Sequence, residues 1–177
     1  MRRALLALLP TLVLAAGSAV VAGSGTPELT AGGPVSVAGT EASGVFTVAD
    51  RTVRQVRYAD GGTLRYTFTL ANEGRLPVTV RGLAGQQTDP RLFDVVDVTP
   101  TDLSPGESSP VTLTLAMNGC ESLSSRSGSF VSEIALRTRQ AGVFGDDVVV
   151  ALPEEIHTGS PREATCPRAT ATSRPQG

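Results

Sequence analysis

Lysine and tryptophan are absent from this chain of 177 residues, and aromatic residues make up only 4% of it. All 15 basic residues are arginines scattered along the chain, and the formal net charge is −2. Proteins that bind nucleic acids concentrate basic residues on one face, so this distribution argues against a nucleic-acid partner. The shortage of aromatic side chains also gives little support to stacking platforms for sugars or bases.

Outside its first 22 residues, the chain lacks the apolar repeat of an amphipathic helix. Apolar and polar residues instead alternate in segment 63–80, whose first half places four apolar side chains on one face: Leu64, Tyr66, Phe68 and Leu70. This pattern predicts a strand with one buried and one exposed face, because side chains on a strand alternate between faces. Asn72 and Gly74 then predict a turn. Pro77 lies at the entrance of the next strand, where its missing N–H costs little.

Similar alternation recurs between turn-forming residues, in segments 45–48, 52–58, 92–98, 111–117, 130–139 and 148–152. In segment 130–139 we expect Phe130, Ile134 and Leu136 to face inward. About seven to eight strands at this spacing predict an all-β fold, a sandwich of two antiparallel sheets over residues 44–157. Residues 23–43 are rich in Gly, Ser, Thr and Pro, and we expect them to form a flexible lead-in, with Val35-Ser-Val37 as the candidate for a first short strand.

Residues 1–22 have the layout of a secretory signal peptide, with a basic start at Arg2-Arg3, an apolar run and a small-residue exit. Cleavage is expected after Ala22, so that the mature chain begins near Gly23, and Gly17-Ser-Ala19 is the second choice of cleavage site. The alternative is an uncleaved anchor, because residues 4–22 approach the roughly 20 residues that span a bilayer. The protein is therefore expected to be secreted or on the extracytoplasmic cell surface, or membrane-anchored by this segment.

The chain has two cysteines, Cys120 and Cys166. An even number of cysteines behind an export signal favours a disulfide, because the destination is oxidising. The bridge would tie the polar tail, residues 158–177, to the end of strand 111–117. Free thiols and a metal pair are the alternatives, although two cysteines and the distant His157 fall short of a four-ligand zinc set. We therefore expect no metal and no cofactor.

Acidic residues occur in three pairs that could carry chemistry: Asp94 and Asp97, Asp146 and Asp147, and Glu154 and Glu155. Paired carboxylates serve glycoside hydrolysis when a cleft holds them several ångströms apart, but no cleft-forming insertion is visible. His157 lies close to the last pair, and Ser160 follows it without a nucleophile motif. No calcium-loop motif is present either. These residues are therefore expected to be solvated, and no catalytic residue is predicted.

The run Tyr66-x-Phe68-x-Leu70-x-Asn72-x-Gly74-x-x-Pro77-Val78-x-Val80 resembles the second and third strands of bacterial immunoglobulin-like modules. Leu103-Ser-Pro-Gly-Glu107 is similar to the approach to the fifth strand of these modules. The resemblance implies an immunoglobulin-like sandwich, a fold that hosts many roles. The Cys–Trp–Cys signature of antibody domains is missing, which favours the broader bacterial group.

The expected function is that of an exported, non-enzymatic β-sandwich module for binding or structure in the bacterial cell envelope or exterior. One alternative is a membrane-anchored accessory subunit with an extracytoplasmic domain, and another is a small secreted hydrolase. The expected partner is a protein or another component of the envelope, whose identity the sequence does not give. A membrane partner is expected only if the N-terminal segment stays uncleaved.

Overall fold

The structure is a computed structural model that describes residues 25–40, 42–57, 61–85, 87, 93–117 and 129–158. The predicted leader, both cysteines and the polar tail after Thr158 lie outside the described residues, so the signal peptide and the disulfide stay predictions. Among the described residues, no helix is long and apolar enough to cross a bilayer.

Ten strands make up the described fold, and they are numbered in chain order: β1 (Leu29–Ala38), β2 (Ala42–Val48), β3 (Arg51–Arg57), β4 (Thr63–Asn72), β5 (Val78–Leu83), β6 (Phe93–Val98), β7 (Thr101–Leu103), β8 (Ser108–Met117), β9 (Ser129–Gln140) and β10 (Phe144–Thr158). The first sheet has the order β1-β4-β8-β6, and the second has the order β2-β3-β10-β9-β5-β7. The prediction of an all-β, two-sheet sandwich is confirmed.

The core lies between the sheets, and β4 and β8 contribute its largest continuous face. Leu64, Tyr66, Phe68 and Leu70 are each at most 1% exposed, as the alternation predicted. On β8 the inward residues are Val111, Leu113, Leu115 and Met117, which are equally buried. The two rows meet because the strands pair antiparallel, with Tyr66 opposite Leu113 and Phe68 opposite Val111.

The number and arrangement of the strands differ from the expectation. The described residues form ten strands rather than seven or eight, and β3 pairs with β10 in parallel rather than antiparallel. Strand β1 lies inside the segment expected to be a flexible lead-in. Leu29, Ala31, Val35 and Val37 pack against the core from β1, and β4 supplies its backbone partners. The sequence pointed only to Val35-Ser-Val37 within this strand, because glycines separate the other two apolar residues, Leu29 and Ala31, from them.

Phe130 was expected to face the core, and the structure corrects this: its side chain is 55% exposed on the outer face of the second sheet. Val131 and Ile134 are both buried although they are three positions apart, so the alternation of β9 changes phase between them. The pairing with β10 is irregular at the same place, between Ala151 and Ile156. Strand β10 also continues past Pro153, where it was expected to end, because this irregularity leaves room for a residue without an N–H.

Asn72 closes strand β4 and binds three backbone groups with its buried amide. The Nδ2 group donates to the carbonyl oxygens of Leu76 at 2.9 Å and Leu103 at 3.1 Å. The Oδ1 atom accepts from the backbone N–H of Gly74 at 3.0 Å, the turn contact that the sequence predicted. Because Leu76 precedes β5 and Leu103 ends β7, this asparagine ties the first sheet to strands of the second.

Gly39 allows the chain to leave β1 beside the start of β4. Its φ angle is +84°, and a Cβ atom built there would lie 2.1 Å from the carbonyl oxygen of Thr63. Both the conformation and the close approach require glycine.

Candidate functional site

The four edge strands of the two sheets differ in how they are protected from pairing. An edge strand presents unpaired N–H and C=O groups. Charged residues, proline, bulges or a short length prevent such a strand from pairing with another chain. Edge β1 contains Pro34 and an irregular register between Gly32 and Ser36. Edge β6 carries Asp94 and Asp97 and has its own irregularity. Edge β7 is only three residues long.

Edge β2 has none of these protections. It is seven residues long, contains no charged residue and no proline, and every one of its residues is exposed. Its pairing with β3 is regular from Ala42 to Val48. Val45, Phe46 and Val48 are 50%, 46% and 43% exposed. This open apolar edge is the feature of the described surface that is best suited to binding another chain.

The outer face of the second sheet continues the apolar surface of β2 for one more strand. Phe46 lies opposite Val53 on β3, and Val53 lies opposite Glu155 on β10. Val53 is only 2% exposed although it does not belong to the core between the sheets. An apolar side chain is therefore buried on the outside of the sandwich, next to the open edge.

Glu155 and His157 are held together on the same outer face. The Oε2 atom of Glu155 lies 2.9 Å from Nε2 of His157, and Arg51 Nη1 donates to both oxygens of this carboxylate, at 3.0 and 3.2 Å. The hydrogen bond with His157, followed by that from Arg51, lowers the pKa of Glu155. The exposed ring of Phe130 stacks on His157 with centroids 5.3 Å apart. The structure thus places His157 between a carboxylate and an aromatic ring.

Glu154 points in the opposite direction, towards the interior of the sandwich. Its Oε1 atom accepts a hydrogen bond from Nη2 of Arg54 at 3.0 Å, and both side chains are largely buried. Among the described residues, the buried hydroxyl of the nearby Tyr66 meets no partner at hydrogen-bond geometry. Burial, followed by the charge of Glu154, raises the pKa of Tyr66. Glu154 and Glu155 are neighbours in sequence, yet they do not form a paired acid site, because successive side chains on a strand face opposite ways.

The other two acidic pairs lie elsewhere. Asp94 and Asp97 pair with Ala116 and Thr114 on β8, so the irregularity of β6 brings both acids to the outer face of the first sheet. Asp146 and Asp147 line a shallow depression of about 460 Å³, together with three arginines: Arg81, Arg137 and Arg139. Over the described residues, no group of three or more His, Cys, Asp or Glu side chains is placed to hold a metal ion.

The open edge and the arginine partners of the two glutamates were not predicted from the sequence. Segment 45–48 was predicted as a strand, but alternation does not show which strand lies at an edge. The absence of charge from residues 42–48 was the signal that could have pointed to it. The partners of Arg51 and Arg54 lie about a hundred positions further along the chain, beyond the reach of a local pattern.

No family model matches this chain, and no curated protein is significantly similar to it in sequence.

Proposed function

We propose that this protein is an exported, non-enzymatic binding module of the bacterial cell envelope or exterior, and that it binds another protein chain along strand β2. The observation that carries the proposal is the regular, uncharged and fully exposed edge of β2. An extended segment can add to such an edge, with its backbone hydrogen bonds giving affinity and alternate side chains giving specificity.

The side chains of β2 supply both faces of such a contact. Val45 lies on the side of the sheet that faces the interior of the sandwich, beside Arg54, whereas Phe46 and Val48 lie on the outer side. A strand that adds to β2 would cover all three partly exposed apolar side chains. Their burial adds to the backbone bonds, at about 25 cal/mol for each Å² removed from water.

The sequence supports two further parts of the proposal, namely export and the type of sandwich. The basic start, apolar run and small-residue exit of residues 1–22 support export. The run from Tyr66 to Val80 supports a sandwich of the bacterial immunoglobulin-like type, in a chain whose described residues form two packed sheets.

The binding edge can be tested with a photo-crosslinking amino acid at position 46, in protein made with its leader by an exporting bacterium. The matched control carries the same amino acid at position 149. Val149 is 61% exposed and lies on β10, where it pairs with Ala135 of β9 and is not part of the β2 edge. Specific crosslinks from position 46 and none from position 149 are expected. Equal labelling from both positions, or none from either, would refute binding along β2.

Export is tested separately, by fractionation and the intact mass of the same preparation. A mature chain that begins near Gly23 outside the cytoplasm is expected. A full-length species found only in the membrane fraction would favour the anchored accessory subunit instead, and a cytoplasmic chain would refute export.

A further inference from the structure

We infer that the strand that pairs with β2 is β2 of a second copy of this chain, antiparallel and related by a two-fold axis at Val45. The inference rests on the proposed function, since it names the partner of the same edge. A two-fold contact uses the same patch on both copies, so the strand must be complementary to itself. The sequence of β2 can be checked for this property directly.

Large and small side chains of β2 oppose each other when Val45 pairs with Val45 of the second copy. Residues at equal distances on either side of position 45 then face each other, so Phe46 lies opposite Gly44 and Val48 lies opposite Ala42. An aromatic ring that covers a cross-strand glycine is a stabilising pair in sheets.

The remaining cross-strand pairs are also compatible with the antiparallel register centred on Val45. Thr47 lies opposite Ser43, and such hydroxyl pairs form cross-strand hydrogen bonds. Val45 meets its own copy at the two-fold axis. The glycine leaves room for the ring, because a Cβ atom at Gly44 would meet nothing within 4 Å in the isolated chain. No polar side chain has to be buried against an apolar one.

The charges nearest the two-fold axis do not oppose the pairing, and Arg57, the third arginine of β3, lies opposite Ala42 at the end of the strand. Strand β2 carries no charge itself, and two arginines on β3, Arg51 and Arg54, are ion-paired with Glu155 and Glu154. Paired β2 strands would join the two six-stranded sheets into one continuous sheet. Among the four edge strands of the described sheets, β2 is the one without protective residues, and this arrangement would cover it.

The dimer should be weak and dependent on concentration. Two edges of seven residues bury less surface than the roughly 1,200–2,000 Å² of a standard stable interface. At the high local concentration of an envelope surface, such a contact could still be occupied. We therefore expect reversible association in the micromolar range or weaker.

Sedimentation equilibrium of the mature, exported protein over a wide concentration range tests the inference. The wild type should show reversible monomer–dimer association, and Val45→Lys should weaken it by about tenfold or more, because two like charges would meet at the axis. Val149→Lys is the matched control, since it makes the same change at an exposed valine outside β2, and it should associate like the wild type. Circular dichroism establishes that both variants are folded.

Cysteine substitution tests the register. Val45→Cys should form a covalent dimer on mild oxidation, because the two Cα atoms would lie about 4.5–5.5 Å apart. Phe46→Cys should not, since its copies are offset by two residues and lie beyond the roughly 7 Å limit for a disulfide. The wild type in the same non-reducing gel accounts for the two native cysteines. Crosslinking of Phe46→Cys but not of Val45→Cys would overturn the Val45-centred pairing.

Two results separate this inference from the proposed function. A wild type that stays monomeric at all concentrations, with position 46 crosslinked to a different protein in cells, would overturn self-pairing and leave the binding module standing. Dimerisation that Val45→Lys and Val149→Lys leave equally intact would place the contact elsewhere and overturn self-pairing along β2.

Discussion

The replacement of Asn72 by aspartate keeps the shape of a buried side chain and removes its donors. Asn72 is fully buried, and its amide nitrogen donates to the carbonyl oxygens of Leu76 and Leu103. In Asn72→Asp these two carbonyls would face a carboxylate oxygen, while the contact from the N–H of Gly74 is kept. The substitution therefore separates hydrogen bonding from packing at this position.

The expected loss in the free energy of unfolding of Asn72→Asp is large. A buried polar group that loses its partner costs about 1–3 kcal/mol, so two unpaired carbonyls cost roughly 2–6 kcal/mol before the buried charge is counted. The whole free energy of unfolding of a domain is about 5–15 kcal/mol. Asn72→Asp should thus lose a substantial part of the stability of the sandwich at pH 7. Asn72→Ala loses the same two donors and also the oxygen that accepts from the N–H of Gly74, but it buries no charge, so it should be less destabilising than Asn72→Asp.

Urea denaturation at pH 7 and pH 4 provides the measurement. The neutral carboxylic acid is favoured in the folded state of Asn72→Asp, since it carries no charge and can donate to one carbonyl. The folded variant then binds a proton at this carboxyl more tightly than the unfolded variant does. The difference in the free energy of unfolding between wild type and variant should therefore shrink as the pH falls. A variant within about 0.5 kcal/mol of wild type at pH 7 would refute the role given to Asn72, because surface substitutions stay within that range.

Four further predictions follow from other parts of the chain. Phe68→Ala should cost about 3–5 kcal/mol because its ring is buried in the core. Thr67→Ala should cost only about 1 kcal/mol, since it loses one hydroxyl contact, with Thr112; equal losses in denaturation would contradict the β4 register. Gly39→Ala should destabilise by at least about 1–2 kcal/mol through its positive φ angle and the contact with Thr63. Gly32→Ala, where a Cβ atom meets nothing, is its control, and equal thermal midpoints would count against the close approach. The pKa of Glu155 is lowered by His157 and then by Arg51, so its stabilising effect is present above the ordinary value of 4.5 and lost as the pH falls through the folded value. The stability difference between wild type and Glu155→Gln should therefore shrink below about pH 4.5, and a constant difference would argue against this pairing. Finally, Cys120 and Cys166 should resist alkylation in exported protein until it is reduced, as a disulfide requires, whereas two reactive thiols would exclude the bridge.

The sequence determined which faces of the central strands are buried. The alternation from Leu64 to Leu70 and from Val111 to Met117 has the period of a strand, and this period alone decides which side chains share a face. The turn contact of Asn72 was also readable, because an asparagine side chain can bond to the backbone two residues on. These features depend on residues close together in the chain, so local pattern was sufficient to predict them.

A local pattern also led to the error at Phe130. The alternation of β9 predicted an inward ring, and the phase change between Val131 and Ile134 turned it outward. Such a change depends on how β9 pairs with β10, whose register is irregular at the same place. The stacking of Phe130 on His157 therefore had no signal in the sequence.

Only the tertiary structure decided which strands became neighbours and which became edges. Arg51 and Arg54 meet glutamates 104 and 100 positions away, because β3 pairs in parallel with the far end of β10. The same pairing leaves β2 with β3 as its one neighbour and exposes its apolar side chains. The alternation of side chains specifies which face of a strand is buried. Pairing along the edge of a strand uses backbone N–H and C=O groups, which nearly every residue carries, so the side-chain pattern does not show which strand will be left unpaired. Long-range packing therefore had to decide that β2 is the open edge.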